Sequence, residues 1–178
     1  QYTNDEDFLL NTAIPFAEQI ITFYDQHFPR KDGLLNINPS HALETYWDNV
    51  SNPTEQIAGL RSVLSQLLSL SDTQSTAEQR ENWSRLLGEL PEIPLGEENG
   101  NSYIKPAEEY STNRYNQENP ELYTVFPYKL YGVGKENLDT AINTYNRRIS
   151  RFNYCWSQDG IQAAYLGLEN EAKNAVIS

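Results

Sequence analysis

Apolar residues recur with helical spacing in several stretches of the chain. Between residues 5 and 28 they form one stripe, which Pro15 interrupts, so the sequence predicts a long core helix in which this proline starts or kinks a second segment. The segment 52–68 opens with Asn52-Pro53-Thr54-Glu55, which supplies an N-cap, a proline at the first helical position and a capping-box acid. A third helix is predicted over 76–90.

The middle of the chain breaks this helical pattern. Between Pro91 and Gln117, prolines, glycines and the turn signal Asn99-Gly100 separate short apolar groups, as in a short hairpin within an irregular excursion. Helical spacing returns over 138–149 and 161–168, and a last helix follows to Ile177. The pattern predicts an all-α fold of five or six helices, with long loops at one end and at most one short β-hairpin.

The segment 33–49 reads as neither a helix nor the core of a strand. It crowds aromatic rings, carboxylates, amides and hydroxyls into one run, which suits sugar recognition because rings stack on apolar sugar faces and short polar groups bind hydroxyls. The candidate sugar contacts in this segment are His41, Tyr46, Trp47 and Asn49.

Composition narrows the classes of partner. The formal net charge of −12 argues against nucleic acid, because phosphate binding needs clustered Lys and Arg, and a neutral or cationic ligand fits better. A single Cys155 excludes an intrachain disulfide, and His27 and His41 are far apart, so no metal is expected. No apolar run or leader predicts a membrane span or an intact signal peptide. Because the chain lacks Met and begins with Gln, we expect a processed chain or a piece of a longer protein.

Two parts of the N-terminal third resemble family 95 glycoside hydrolases, the inverting α-L-fucosidase group. The opening 2–9, followed by Ala13-Ile14-Pro15-Phe16 and Phe23-Tyr24, resembles the helix that precedes the catalytic acid. The family places that acid in a Pro-Ser-x-Ser-Pro-Glu-Asn element after a Gly-x-Leu approach. Here Gly33-Leu34-Leu35 leads to Pro39-Ser40-His41-Ala42-Leu43-Glu44-Thr45.

By this resemblance Glu44 stands at the position of the proton donor. Ala42-Leu43 replaces the family's Ser-Pro, and Thr45 replaces its Asn. These departures leave the sugar specificity open. A carboxyl beside Tyr46 and Trp47 could be partly desolvated, which would raise its pKa and keep it protonated for acid catalysis. A plain surface or capping role is the alternative for Glu44.

Two later segments extend the resemblance over most of the chain in a consistent order. Asn119-Pro120-Glu121-Leu122-Tyr123 with Phe126-Pro127-Tyr128 is similar to a family segment that ends in Tyr-Pro, although the family's histidines are absent. Cys155-Trp156-Ser157-Gln158-Asp159, followed by Ala163-Ala164 and Leu166-Gly167, is similar to a Gly-Trp-Ser helix and its small-residue continuation.

The resemblance implies a fold, a reaction and a setting. Residues 1–178 would be the C-terminal portion of a catalytic domain that folds as an (α/α)6 toroid. The N-terminal remainder of the same protein would be a partner of this chain and would complete the site. The substrate would be a glycan with an α-linked terminal sugar such as fucose or galactose, and no cofactor is required. Family analogy places such enzymes outside the cytoplasm.

An inverting hydrolase needs a second, ionised carboxylate roughly 6.5 to 9.5 Å from the acid. Asp159 and Glu121 both compete for this role, and each also fits an ordinary place at the start of a helix. Asn119, Tyr123 and Trp156 join the candidate sugar contacts, whereas Trp83 lies on a helical stripe and is predicted to be core. The alternatives to a hydrolase are a non-catalytic sugar-binding relative and a helical protein-interaction module.

Overall fold

A computed structural model describes residues 5–152 and 156–177. Its α-helices are α1 Glu6–Phe8, α2 Ile14–His27, α3 Thr54–Leu68, α4 Ala77–Glu89, α5 Leu138–Arg147, α6 Asp159–Tyr165 and α7 Glu169–Ile177. Its strands are β1 Arg30–Lys31, β2 Leu34–Leu35, β3 Ser40–Ala42, β4 Tyr46–Pro53, β5 Leu95–Glu98, β6 Asn101–Ile104 and β7 Ala107–Glu109. A π-helical turn covers Leu9–Ala13 and a 3-10 helix covers Pro120–Thr124.

The predicted all-α fold, as part of an (α/α)6 toroid, is wrong. The described residues form a mixed α/β structure in which the helices are joined by seven strands in three small antiparallel sheets, β1-β2, β3-β4-β7 and β5-β6. Six of the strands have two to four residues, which is too short for an alternating apolar and polar pattern to show in the sequence.

The positions of the predicted helices are confirmed, with small shifts at their ends. The first is not the core helix that the sequence predicted, because Phe16 and Ile20 of its apolar stripe are exposed and α2 buries Ile14 and Ile21 instead. Pro15 acts as expected, because it lies in the first turn of α2 and follows the π-helical turn. Proline has no N–H to bond the carbonyl four residues back and its ring crowds that carbonyl. Just before Pro15 the backbone hydrogen bonds therefore span five residues instead of four. The Ile14 amide donates to the Leu9 carbonyl five residues back. Within the described ranges, no helix is both long and apolar enough to traverse a lipid bilayer.

The described chain divides into two compact units. Unit 1 comprises residues 5–37 and 60–91. Its charged side chains form a network in which Asp25 and Glu89 each contact both Arg30 and Arg85. Its buried apolar residues include Ile14, Ile21, Phe28, Leu35, Ile37, Leu60, Leu64, Leu67, Trp83, Leu86 and Leu90, so the predicted core position of Trp83 is confirmed.

Unit 2 comprises residues 38–59, 92–152 and 156–177. One apolar cluster lies where the 3-10 helix, α5 and α6 meet, and consists of Leu122, Val125, Ala141, Tyr145, Ala163 and Leu166. A second cluster lies under the three-stranded sheet and consists of Ala42, Tyr46, Val50 and Ala107. This second cluster lies beneath the segment in which the sequence crowds its polar and aromatic residues.

The sequence pattern indicated no strand in the segment 33–49, and this is wrong, because the segment contains β2, β3 and the first half of β4. Its strands are irregular: the β3-β4 register shifts between Ser40 and Ala42, and Asn49 has a positive φ inside β4. Asparagine tolerates the left-handed region better than most residues, so it suits such an irregular strand. Because asparagine is uncommon in regular strands, its presence made this strand difficult to predict from the sequence.

Candidate functional site

Glu44 lies in a tight turn of unit 2 between β3 and β4. The Thr45 amide donates to the Ala42 carbonyl at 3.2 Å, and Leu43 has a φ of +50°. This left-handed conformation is costly for a leucine and reverses the chain at the end of β3. The Glu44 side chain is exposed, and one of its oxygens accepts a hydrogen bond of 3.2 Å from the Asn116 amide.

Three exposed rings lie close to this turn, and we call them the ring surface: His41, Trp47 and Tyr115. Trp47 stacks on Tyr115 with ring centroids 5.1 Å apart and lies 6.1 Å from the His41 ring. The two larger rings remain about half exposed, at 50% and 54%. Exposed, mutually supported aromatic faces are suited to stacking on the apolar faces of sugars.

Besides Glu44, a second carboxyl, that of Asp48, contacts the ring surface. The Tyr115 hydroxyl donates to Asp48 at 2.7 Å, and this bond to a carboxylate raises the pKa of Tyr115. His41 and Trp47 also line a shallow depression together with Asn49. The turn with Glu44, the rings and the polar groups therefore form one continuous patch of unit 2.

The later segments of the chain meet at a different depression of unit 2, which we call the Asp159 pocket. Its volume is about 20 Å³, which is room for a water molecule but not for a sugar ring. Four of the predicted site residues line it, namely Asn119, Tyr123, Trp156 and Asp159, along with Gln117, Glu118, Phe152, Ser157, Gln158 and Gln162.

Asp159 is buried at the first turn of α6 and is paired with a cation. The Arg148 Nε donates to its Oδ2 at 2.6 Å, and both side chains are about one-tenth exposed. A buried carboxylate requires such a partner, and Arg148 in turn lies 3.6 Å above the Tyr145 ring. The arrangement holds an aspartate carboxylate at the wall of the pocket.

Hydrogen bonds fix the polar wall of the Asp159 pocket. The Asn119 side chain donates to the Ser150 carbonyl at 3.0 Å and accepts from the Ser150 amide at 3.3 Å. The Tyr123 hydroxyl donates to Glu118 at 2.8 Å, and burial together with this carboxyl raises the pKa of Tyr123. The pocket therefore presents pre-oriented polar groups beside the exposed Trp156 ring.

Residues 114–119 connect the ring surface with the Asp159 pocket. Asn116 bonds Glu44, while the following residues from Gln117 to Asn119 line the pocket. The Arg114 guanidinium anchors this segment by donating to the Tyr46 hydroxyl at 2.6 Å and to the Glu118 carbonyl at 2.7 Å. This segment thus contacts Glu44, the candidate acid, and forms part of the wall of the pocket that holds Asp159, the candidate base.

Tyr46 and Glu121 occupy the interior of unit 2, away from either surface. Burial raises the pKa of Tyr46, against the lowering effect of Arg114. Glu121 is 7% exposed, and burial raises the pKa of its carboxyl to about 7. Within the described part of the chain its Oε2 has no hydrogen-bond partner.

Glu55 is a second buried carboxyl, which the sequence indicated only as a capping acid. It is 4% exposed, and burial raises its pKa to about 8, with a further contribution from the negative charge of Glu121. Its Oε1 accepts from the Leu43 amide at 3.1 Å, and its Oε2 has no partner in residues 5–152 and 156–177. Two interacting carboxyls therefore lie behind the turn that carries Glu44.

The structure thus sorts the predicted residues into three places. The ring surface and its turn hold His41, Glu44, Trp47 and Asn49, the Asp159 pocket holds Asn119, Tyr123, Trp156 and Asp159, and the interior holds Tyr46 and Glu121. Sequence reasoning missed Asp48, Glu55, Arg114, Tyr115 and Asn116. The cluster Arg114-Tyr115-Asn116 lies in an irregular polar stretch, and only its contacts with β4 and with the turn before β4 reveal a role.

Comparisons with models of protein families, with curated proteins and with solved structures find no match for this chain. Within the described ranges, no group of three or more His, Cys, Asp and Glu side chains is placed to hold a metal ion.

Proposed function

We propose that this chain acts on glycans, and that it hydrolyses an α-linked terminal sugar with Glu44 as the general acid and Asp159 as the general base. One observation carries the proposal: four residues selected from separate parts of the sequence line the Asp159 pocket, and the wall of that pocket continues into Asn116, the partner of Glu44.

The proposed acid lies where a sugar could reach it. Glu44 is exposed beside the ring surface, so a sugar stacked on Trp47 or Tyr115 could present its glycosidic oxygen to this carboxyl. A glycan bound over Glu44 would exclude water from the carboxyl while it donates its proton to the leaving oxygen.

The proposed base is already held in place. Asp159 is fixed by Arg148 at the wall of the pocket, where Asn119 and Tyr123 add oriented polar groups. In an inverting reaction this carboxylate would accept a proton from the water that attacks the anomeric carbon. Glu121 is less suited to that role, because its buried carboxyl titrates near neutrality and does not line the pocket.

The resemblance to family 95 glycoside hydrolases directs the choice of substrate. Aryl α-L-fucosides and α-D-galactosides are the first probes, and NMR of the first-formed product reports whether the anomeric configuration inverts. The acidic chain, at −12, favours neutral sugars over anionic ones because like charges repel.

Replacement of the acid by its amide tests the proposal. We expect Glu44→Gln to lower kcat by about 100-fold or more while glycan binding persists, because the amide cannot donate an acidic proton. Glu97→Gln, an exposed change on β5, is the matched control and should leave the rate unchanged. Hydrolysis by the Glu44→Gln variant at the wild-type rate would refute the proposed role.

The exposure of Glu44 favours a second candidate, a non-catalytic glycan-binding protein. An open carboxyl in water lacks the desolvation that keeps a catalytic acid protonated. This alternative predicts binding without turnover: Trp47→Ala would weaken glycan affinity by about tenfold through loss of stacking, and Glu44→Gln would change little. Isothermal titration with neutral oligosaccharides separates the two candidates.

A further inference from the structure

The turn that presents Glu44 is held from behind by the start of α3. Glu55 Oε1 accepts from the Leu43 amide at 3.1 Å across twelve residues of sequence. The next side chain, Gln56, donates to the His41 carbonyl at 2.8 Å and to the Ser40 hydroxyl at 2.9 Å. Two consecutive residues of one helical turn therefore hold β3 and the turn that follows it.

The conformation that Glu55 supports is an unfavourable one. Leu43 has a φ of +50°, and a non-glycine residue persists there only when its surroundings over-determine it, at a cost of about 1 to 3 kcal/mol. The partly buried hydrogen bond from the Leu43 amide to Glu55 is such a constraint. Because Leu43 immediately precedes Glu44, its backbone direction sets where the Glu44 side chain leaves the chain.

We propose that Glu55 is a positioning residue for Glu44, which acts by holding the Leu43 amide in the left-handed turn and so aiming the Glu44 carboxyl at the glycan. The inference rests on the proposed hydrolase function. Glu55 itself does not touch the substrate, since it is buried beneath the turn.

The environment of Glu55 keeps it neutral at moderate pH. Its burial raises the pKa to about 8, and Glu121 on the 3-10 helix opposes its ionisation. Tyr128 is the other titratable group that interacts with it, while Arg114 acts on Glu121. A neutral carboxyl can accept from Leu43 through its carbonyl oxygen. Ionisation would make Glu55 a better acceptor for this amide, but it would also place a negative charge in a buried site beside Glu121. The buried position that supports the turn is therefore favoured below the pKa of Glu55 and disfavoured above it.

Two substitutions at position 55 separate positioning from general stability. We expect Glu55→Leu, which removes the acceptor, to lower kcat by about tenfold while KM stays within about twofold, because a misplaced acid affects the transition state more than binding. Glu55→Gln retains an oxygen acceptor for the Leu43 amide and should restore most of kcat. Glu97→Gln again serves as the control.

The pH profile adds a readout that a merely structural role would not change. In the wild type, kcat should fall as pH rises through about 8, where Glu55 ionises. The Glu55→Gln variant should lack that fall, because it has no proton to lose. This comparison remains possible even if the leucine variant does not fold.

Amide hydrogen exchange of Leu43, measured by NMR, tests the hold on the turn without any substrate. Protection should be lost in Glu55→Leu and kept in Glu55→Gln and Glu44→Gln. An inactive wild type refutes the proposed function. The positioning role is refuted separately if Glu55→Leu keeps the wild-type kcat, if its Leu43 amide is unchanged, or if Glu55→Gln loses as much kcat as Glu55→Leu.

Discussion

Two pairs of carboxyl groups, one pair in each unit, lie in opposite environments. In unit 1, Asp25 and Glu89 are about one-quarter exposed and each contacts Arg30 and Arg85. In unit 2, Glu55 and Glu121 are buried together, and each has an oxygen without a partner in the described structure. The pair in unit 1 is thus neutralised by arginines and remains partly hydrated, whereas the pair in unit 2 is buried, so that its ionisation is costly.

The pKa directions express the same difference. Burial acts to raise the pKa of Asp25, but hydrogen bonds from Arg85 and Arg30 outweigh it and the pKa falls below its usual range. At Glu55 burial prevails and the pKa rises. Buried polar groups that a fold leaves incompletely satisfied are concentrated at functional sites, so the contrast directs attention to unit 2.

The largest expected effect is a loss of stability as pH rises from about 5 to about 8. A carboxyl whose pKa is raised on folding stabilises the protein below its unfolded pKa, and this contribution disappears as pH rises through the folded pKa. For Glu55 the window extends from the ordinary value of 4.5 to about 8. Over this window the free energy of unfolding of the wild type should fall by up to about 1.4 kcal/mol per pH unit, and that of Glu55→Gln should not.

Urea denaturation of both proteins at intervals of pH measures this difference. Glu97→Gln should follow the wild-type curve, because Glu97 is exposed on β5. Parallel curves for Glu55→Gln and the wild type would mean that Glu55 is already ionised in the folded protein at pH 5.

The next effect comes from the buried ion pair of unit 2. Asp159→Asn leaves Arg148 buried without its charged partner, so we expect the free energy of unfolding to fall by about 3 kcal/mol. A double-mutant cycle with Arg148→Gln checks the assignment, since the double variant should recover part of the loss. Strictly additive losses would show that the pair does not interact.

The same substitution in unit 1 should cost much less. Asp25→Asn loses two charged contacts, but its arginine partners remain accessible to water, so we expect a cost of about 1 kcal/mol. In 1 M salt the cost should shrink, because ions screen exposed charges. If Asp25→Asn proved as harmful as Asp159→Asn, exposure would not be the property that distinguishes the two units.

The smallest effect is expected at an exposed pair within unit 2. Glu98, at the end of β5, contacts Arg147, which also lies 4.0 Å over the Tyr103 ring. Glu98→Gln should change the free energy of unfolding by no more than about 0.5 kcal/mol, because both charges are largely hydrated. Thermal unfolding of Glu98→Gln and Asp159→Asn compares an exposed and a buried ion pair of the same unit. A much smaller loss of stability in Glu98→Gln would show that burial determines the loss.

The helices could be placed from the sequence because apolar spacing and capping signals are visible in the local sequence. The capping box of α4 illustrates this, since Thr76 and Gln79 exchange hydrogen bonds three residues apart and both are visible in the local sequence. The Asn99-Gly100 turn of the β5-β6 hairpin was equally readable, and both its residues have the positive φ that a type I′ turn requires.

The strands were missed because their partners are remote or their pattern is too short. The β1-β2 hairpin could have been found from Asp32-Gly33, which also has two positive φ values and is a strong turn signal. By contrast, β7 pairs with β4 more than fifty residues away, so no local feature of Ala107–Glu109 predicts a strand. The all-α prediction failed for this reason.

The residues of the candidate site differ in the same way: some could be selected from local sequence, and others could not. Trp47 and Asp159 could be selected from residue type and local context. Glu55 could not be recognised as more than a capping acid, because its partner at Leu43 and its neighbour Glu121 are brought to it only by folding. Long-range hydrogen bonds to buried carboxyls carry no signature in a single sequence.

The tip of the β5-β6 hairpin offers a practical handle. Asn99 and Gly100 are exposed, and residues at such tips tolerate insertion because little backbone hydrogen bonding depends on them. A fluorophore or an affinity peptide grafted between these two residues would allow immobilisation and single-molecule detection of the protein without altering any residue that lines the ring surface or the Asp159 pocket.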